Sequence, residues 1–214
     1  MTNWIDISQP LTNDLAFFPG DSPFRYSLSY TKEETGSVNI GEMQASLHNG
    51  THIDAPFHYD SNGKTVDTLP LELYIGRAIV LDVRDVEVIT DHVLAKHDLK
   101  GVTRVLLRTS LPNNPKVFPK TMPLLDPSVA TYLREQGVQL LGVDLPSVDA
   151  VDSKELASHH ALYQNNIFIV ENIMLDHVET GLYEMIALPL RIIGADASPV
   201  RAVIRPIPKE EDLK

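Results

Sequence analysis

The sequence predicts an α/β fold, a single domain over residues 1–214 in which a mixed β-sheet alternates with helices. Three observations predict it. Val138 to Val143 is a nearly all-apolar run, the pattern of a strand buried on both faces. Just before it, Asp126-Pro127 and Gly137 frame the clearest helix: Asp126 suits a cap, Pro127 the first helical position and Gly137 the stop. Apolar, β-rich runs then recur along the chain with no internal repeat and no linker that would separate two domains. At 214 residues, one sizeable core is the default.

Taken in order, Trp4-Ile5-Asp6-Ile7-Ser8 alternates apolar and polar residues and reads as a first strand. Phe17-Phe18-Pro19-Gly20-Asp21 reads as a tight turn, because Pro pre-sets φ and Gly accepts a positive φ. Its two phenylalanines are either core or an aromatic wall for a flat ligand. Val38 to Leu47 reads as a strand, and Tyr59 to Leu69 as polar and turn-rich. Asn62-Gly63-Lys64-Thr65 is reminiscent of a phosphate-binding loop, but the position its leading glycine needs is His58, so the match fails.

Arg77 to Val83 and Thr103 to Thr109 read as strands, with a short helix from Thr90 to His97 between them. Leu111 to Pro123 is a proline-rich extended loop. The Val138–Val143 strand ends in Asp144, at the carboxyl end where α/β proteins keep their chemistry. Ser153 to Leu162 reads as a helix containing His159-His160. Ile167 to Val170 reads as a buried strand running into Glu171. Tyr183 to Leu190 and Val200 to Arg205 read as the last strands, and the charged Lys209–Lys214 tail is expected to fray.

Composition narrows the function. Hydrophobic content of 43% with 22% charged residues is ordinary for a soluble globular protein. A net charge of −11 repels phosphate backbones, and no basic patch offsets it, so no nucleic-acid partner is expected. No run approaches a membrane-spanning length, and Met1-Thr2-Asn3-Trp4 lacks the basic start of a secretory signal, which points to the cytoplasm. The absence of cysteine excludes disulfides, thiolate zinc sites and a cysteine nucleophile. Any metal site must be built from nitrogen and oxygen.

The densest chemistry lies between His48 and His58. His48, His52, Asp54 and His58 all occupy even positions, so an extended chain projects them to one side, while Thr51, Ile53 and Phe57 face the other. A straight strand at about 3.3 Å per residue would hold His48 and Asp54 roughly 20 Å apart, beyond joint reach of one ion. The backbone must therefore bend, and Gly50 and Pro56 are the residues able to bend it. The same residues, with β-branched Thr51 and Ile53, oppose a helix.

Imidazoles and a carboxylate on one face are donors suited to a divalent ion. A metal held by His48, His52 and Asp54 keeps positions open for water. Glu171, at the end of an apolar strand, and either His159 or His160 are further candidate ligands. His58, beyond the Pro56 bend, suits a general base beside the metal. Metal binding lowers the pKa of water from about 15.7 to about 7, and a positioned His contributes roughly 10²–10⁴-fold. His92, His97 and His177 are left as surface or capping residues. A serine-hydrolase route is discounted: there is no G-x-S-x-G, and Ser147 lacks flanking glycines. Nor does a G-x-G-x-x-G support a dinucleotide cofactor.

The run His48-Asn49-Gly50-Thr51-His52-Ile53-Asp54-Ala55-Pro56-Phe57-His58 resembles the H-x-G-T-H-x-D-x-P-x-H signature of the cyclase-like metal-dependent hydrolases. Weaker likenesses follow in the expected order: Trp4–Ser8, Phe18–Asp21, Gly142–Asp149, Ser158–Leu162 and Ala195–Ala202. The resemblance implies a swivelling β/β/α-type domain, assembled as a homodimer or larger, with two zinc ions; the nitrogen and oxygen donors also accept manganese or cobalt. It implies the ligands His48, His52, Asp54 (bridging both ions), His159 and Glu171, His58 as proton donor and acceptor, and Phe18 at a substrate-contacting aromatic position. The substrate it implies is a small aryl formamide, N-formyl-L-kynurenine, split to L-kynurenine and formate in tryptophan breakdown. Two alternatives stay open: hydrolysis of another small amide or lactam such as isatin, and a non-catalytic metal-binding protein.

Overall fold

The computed structural model describes residues 3–99 and 101–207. The Lys209–Lys214 tail lies outside the described residues, as do Met1 and Thr2. The first half contributes strands β1 (Ile5–Asp6), β2 (Arg25–Tyr30), β3 (Ile40–Gln44), β4 (His52–Asp54), β5 (Ile75–Asp82), β6 (Val88–Ile89) and β7 (Arg104–Arg108). The second half adds β8 (Leu124–Leu125), β9 (Leu140–Val143), β10 (Phe168–Glu171), β11 (Gly181–Ile186), β12 (Ala197–Pro199) and β13 (Val203–Pro206). The α-helices are α1 (Lys32–Thr35), α2 (Asp91–Leu94), α3 (Ser128–Glu135) and α4 (Ala157–Gln164).

Nine strands form one mixed sheet in the order β1-β13-β11-β5-β7-β9-β10-β4-β12. β5, β7, β9 and β10 run parallel at its centre, and every pairing outside that block is antiparallel. The two-residue period of the strands divides the core. Val105, Leu107, Leu141, Val143 and Ile169 face the helices, packing with Val129 and Leu133 of α3 and Leu162 of α4. Their neighbours Leu106, Leu140 and Val170 face the opposite side with Ile53, Tyr74 and Ile204. β9 is buried along its whole length, as its all-apolar sequence predicts. No helix among the described residues is long and apolar enough to cross a membrane.

Several elements end sooner than their sequences suggest. Val38–Leu47 yields only β3, because the chain turns after Gln44 toward Gly50. The Thr90–His97 helix reduces to α2, with turns after Leu94. Tyr183–Leu190 and Val200–Arg205 shift to β11 and β13. α3 begins at Ser128: Pro127 already has helical angles, and Asp126 Oδ1 accepts the Ser128 N–H at 2.9 Å. The largest correction is α4, which starts at Ala157 rather than Ser153. Leu156 sits in the left-handed region at φ +46°, which stops the helix from extending toward Ser153. β2 and its pairing with β3, the short β6–β8 ladder and β12 have no counterpart in the sequence reading.

Candidate metal centre

Two bends bring the 48–58 segment to a focus. Gly50 has φ +67°, a region that costs a side-chain-bearing residue about 1–2 kcal/mol, and it turns the chain between His48 and His52. Pro56 opens a 3-10 turn, Pro56–His58, which reverses the chain after Asp54. Between the bends β4 is extended: His52 and Asp54 share one face, and Ile53 enters the core.

Sheet register supplies the partners. β4 lies between β10 and β12, which sets Glu171 opposite His52 and Ala197 opposite Asp54. The first turn of α4 brings in His159. Asp54 Oδ1 lies 3.1 Å from His48 Nδ1 and 3.4 Å from His52 Nε2, and Asp54 Oδ2 lies 3.5 Å from His159 Nε2. Glu171 Oε2 lies 3.4 Å from His52 Nε2, and Oε1 lies 3.8 Å from His159 Nε2. Each carboxylate thus faces imidazoles with both of its oxygens. His58 stacks beside this group, its ring centroid 4.1 Å from that of His48. Among the described residues it is His159 that makes ion-pair contacts with Asp54 and Glu171; both neighbouring histidines lie against the ring of Tyr59, His159 at 5.3 Å and His160 at 6.0 Å.

The second nitrogen of each imidazole explains the orientation of the first. His52 Nδ1 faces the Gly50 carbonyl at 2.9 Å; that oxygen only accepts, so Nδ1 holds the proton. His159 Nδ1 faces Asp149 at 2.7 Å, and His48 Nε2 faces Asp196 at 3.0 Å. All three rings are therefore held by an acceptor on one side and turn their other nitrogen toward Asp54, the arrangement by which proteins orient metal-binding histidines. Asp149 and Asp196 lie in segments whose family likeness is visible in sequence, but nothing in the local pattern assigns them this contact.

Charge balance agrees. Burial opposes protonation of His48, His52 and His159, yet the surrounding carboxylates outweigh it and raise them to about 9, 10 and 10 respectively. Burial likewise opposes charge on Asp54, which the three imidazoles nevertheless hold well below the usual carboxylate range. Glu171 is raised, first by burial and then by Asp54. His58 is lowered, chiefly by burial. Protons or cations must neutralise two buried carboxylates here.

The donor set fits a divalent cation. His52 Nε2 and both oxygens of Asp54 are buried without a hydrogen-bond partner, a costly arrangement that a cation would relieve. Two overlapping groups, His48/Asp54/His58 and His52/Asp54/Glu171, each hold donor atoms within 4.8 Å of one another, and Asp54 belongs to both.

The cluster forms one wall of a cavity of about 490 Å³. Phe17, Phe18 and Phe118 line it as well, so the phenylalanine pair after Ala16 faces this cavity and belongs to neither buried core. Phe18 meets Phe118 edge to face at 5.6 Å, and the Asp21 N–H closes the turn on the Phe18 carbonyl at 3.0 Å.

Known proteins share both the sequence and the shape. A family model described as putative cyclase matches residues 5–150. The kynurenine formamidase of Bacillus thuringiensis (strain Al Hakam) is 54% identical over 206 residues, covering 96% of this chain and 99% of that protein. A solved structure described as a potential metal-dependent hydrolase with cyclase activity superposes with a TM-score of 0.84 at 24% identity, covering 98% of this chain and 100% of the other. An isatin hydrolase bound to the product analogue thioisatinate gives 0.82 at 20% identity, covering 97% and 93%. At such identities the two structures speak for the fold, whereas the family match spans more than half of the chain and more than half of all residues agree with the Bacillus enzyme, so this protein belongs to the putative cyclase family.

Proposed function

We propose that this protein is a metal-dependent kynurenine formamidase, hydrolysing N-formyl-L-kynurenine to L-kynurenine and formate. The reading is supported by its 54% identity to the Bacillus thuringiensis enzyme, and the single structural observation behind it is the pair of carboxylates, Asp54 and Glu171, each facing two or more oriented imidazoles at one wall of an aromatic-lined cavity. His48, His52, Asp54, His159 and Glu171 would hold the two ions. We assign zinc, although manganese or cobalt also suits nitrogen and oxygen donors. When bound, such ions lower the pKa of water to about 7 and polarise a carbonyl oxygen.

The chain's own residues do the rest. Phe18 and Phe118 accept the flat aryl ring and leave the formyl group toward the histidines. His58, beside the cluster but partly open to solvent, moves the proton. Water oxygen bonds to the formyl carbon, the C–N bond breaks, and the proton taken from water by His58 passes to the departing aniline nitrogen. A homodimer in the cytoplasm is part of the proposal; the exposed Tyr26, Leu28, Tyr30, Ile40 and Met43 of the β2–β3 hairpin favour assembly, because a lone hairpin is marginal in water.

The test is release of formate and L-kynurenine by protein purified without chelator, with metal content and molar mass measured on the same sample. Isatin, the lactam alternative, is assayed beside it. Turnover of isatin but not of formylkynurenine overturns the substrate; turnover of neither, with metal present, leaves the non-catalytic reading.

A further inference from the structure

Asp196 is the residue of the cluster to which neither the signature nor the proposed ligand set gives a role. Its Oδ2 lies 3.0 Å from His48 Nε2 and 3.7 Å from His58 Nδ1, so a single oxygen sits between two imidazoles whose ring centroids are 4.1 Å apart. Among the described residues it is the carboxylate that makes an ion-pair contact with His58. Its position is fixed by main chain. The Asp196 carbonyl accepts the Ala55 N–H at 2.8 Å, and the next residue, Ala197, stands opposite Asp54 in the β12–β4 ladder. Asp196 is thus fastened to the strand that delivers the cluster, one residue from the Pro56 turn that delivers His58.

We propose that Asp196 is the positioning residue of His58: it draws the Nδ1–H of His58 toward itself, so that Nε2 is the nitrogen that exchanges protons with water and with the leaving group. The proposal rests on the formamidase reading and on His58 as the proton carrier. In the hydrolysis, one water and one formamide give one formate and one aniline. The proton arriving on the aniline nitrogen comes from His58 Nε2, while Asp196 takes none and keeps the ring in one tautomer. The simpler role for Asp196, holding His48 toward the metal, uses the 3.0 Å contact alone.

The two roles differ in what they do to the leaving group. A basic aniline cannot leave without its proton, whereas a 4-nitroaniline leaves with less help. Asp196→Ala and Asp196→Asn are therefore compared with wild type on formylkynurenine, formanilide and 4-nitroformanilide, together with metal content and affinity measured on the purified protein. If Asp196 positions His58, kcat on formanilide falls on the order of 10–100-fold for Asp196→Ala while 4-nitroformanilide falls several-fold less. At saturating metal this selectivity persists whatever Asp196→Ala costs in metal affinity through the lost His48 contact, KM stays near wild type, and Asp196→Asn, which keeps an acceptor oxygen, recovers part of the loss. Equal losses on both formanilides, with weakened metal binding, assign Asp196 to His48 alone and overturn the proposal, as does an absence of any loss. His58→Asn must show the same leaving-group selectivity; if it does not, the role of His58 fails first. If wild type splits neither formylkynurenine nor formanilide, it is the formamidase reading that fails.

Discussion

Asp149 Oδ2 lies 2.7 Å from His159 Nδ1 and also accepts the backbone N–H of the same residue at 3.0 Å, while Asp149 Oδ1 accepts the Ser158 N–H at 2.9 Å. One carboxylate therefore both caps the first turn of α4 and aims the ring of His159 at Asp54. Asn in its place cannot accept all three hydrogen bonds, because half of its head group donates. Asp149→Asn is expected to weaken metal binding roughly 10–100-fold through the ring, and to destabilise by about 1 kcal/mol through the cap. Titration of metal-free protein with Co(II) and a thermal melt read the two effects separately. An unchanged metal affinity refutes the link.

Gly50 offers a second test of how backbone shape governs the cluster. At φ +67° an alanine is strained, and its Cβ would approach Leu11 Cδ2 at 2.7 Å. Leu11 is partly exposed and free to swing, so the backbone strain of about 1–2 kcal/mol decides the outcome. Relief of that strain would move the Gly50 carbonyl away from His52 Nδ1. Gly50→Ala should lower the unfolding free energy by that amount and weaken metal binding as well. A melt and a metal titration matching wild type would show that the bend tolerates a side chain.

Much of the cluster was legible because it is local. The even spacing of His48, His52, Asp54 and His58 and the two bend-forming residues lie within eleven positions, and the structure bends at both. What was not legible is long-range. Asp196 meets His48 across 148 positions, and that contact depends on β12 pairing with β4. β12 itself ends in Pro199, which argues against a strand in sequence; it is tolerated because β12 is the last strand of the sheet, with one side unpaired. The start of α4 was misplaced for a similar reason: its cap is Asp149, eight residues before the helix, and not an adjacent Ser or Asp.

Phe18 tests the aromatic wall. Its ring meets Phe118 in the cavity and does not enter either buried core, so its removal should leave the fold intact. Phe18→Ala is expected to raise KM for formylkynurenine on the order of 10-fold, the equivalent of about 1.4 kcal/mol of lost ring contact, with kcat much less affected. Phe18→Trp should retain binding. Steady-state kinetics separates the constants; a fall in kcat with KM unchanged would place Phe18 in the chemistry and not in ring binding.

Asp144 should make stability depend on pH. It sits at the carboxyl end of β9, where burial pushes its carboxyl up from 3.8 to about 7. The Thr109 hydroxyl and N–H, at 2.7 and 3.0 Å, pull it down, as does Asn113, while Asp176 pushes it further up. A folded-state value above the unfolded one means that its stabilising contribution is complete below about pH 4 and is lost as pH rises through about 7. The loss amounts to at most about 4 kcal/mol. Asp144→Asn has no charge to bury and can still hydrogen-bond with Thr109, so it escapes that loss. Urea unfolding at pH 5, 6, 7 and 8 should show the variant gaining on wild type with each step, and the gain levelling off above the folded-state value. Curves that stay parallel across that range would mean that Asp144 is charged in the folded protein at pH 5, and that Thr109 and Asn113 outweigh its burial.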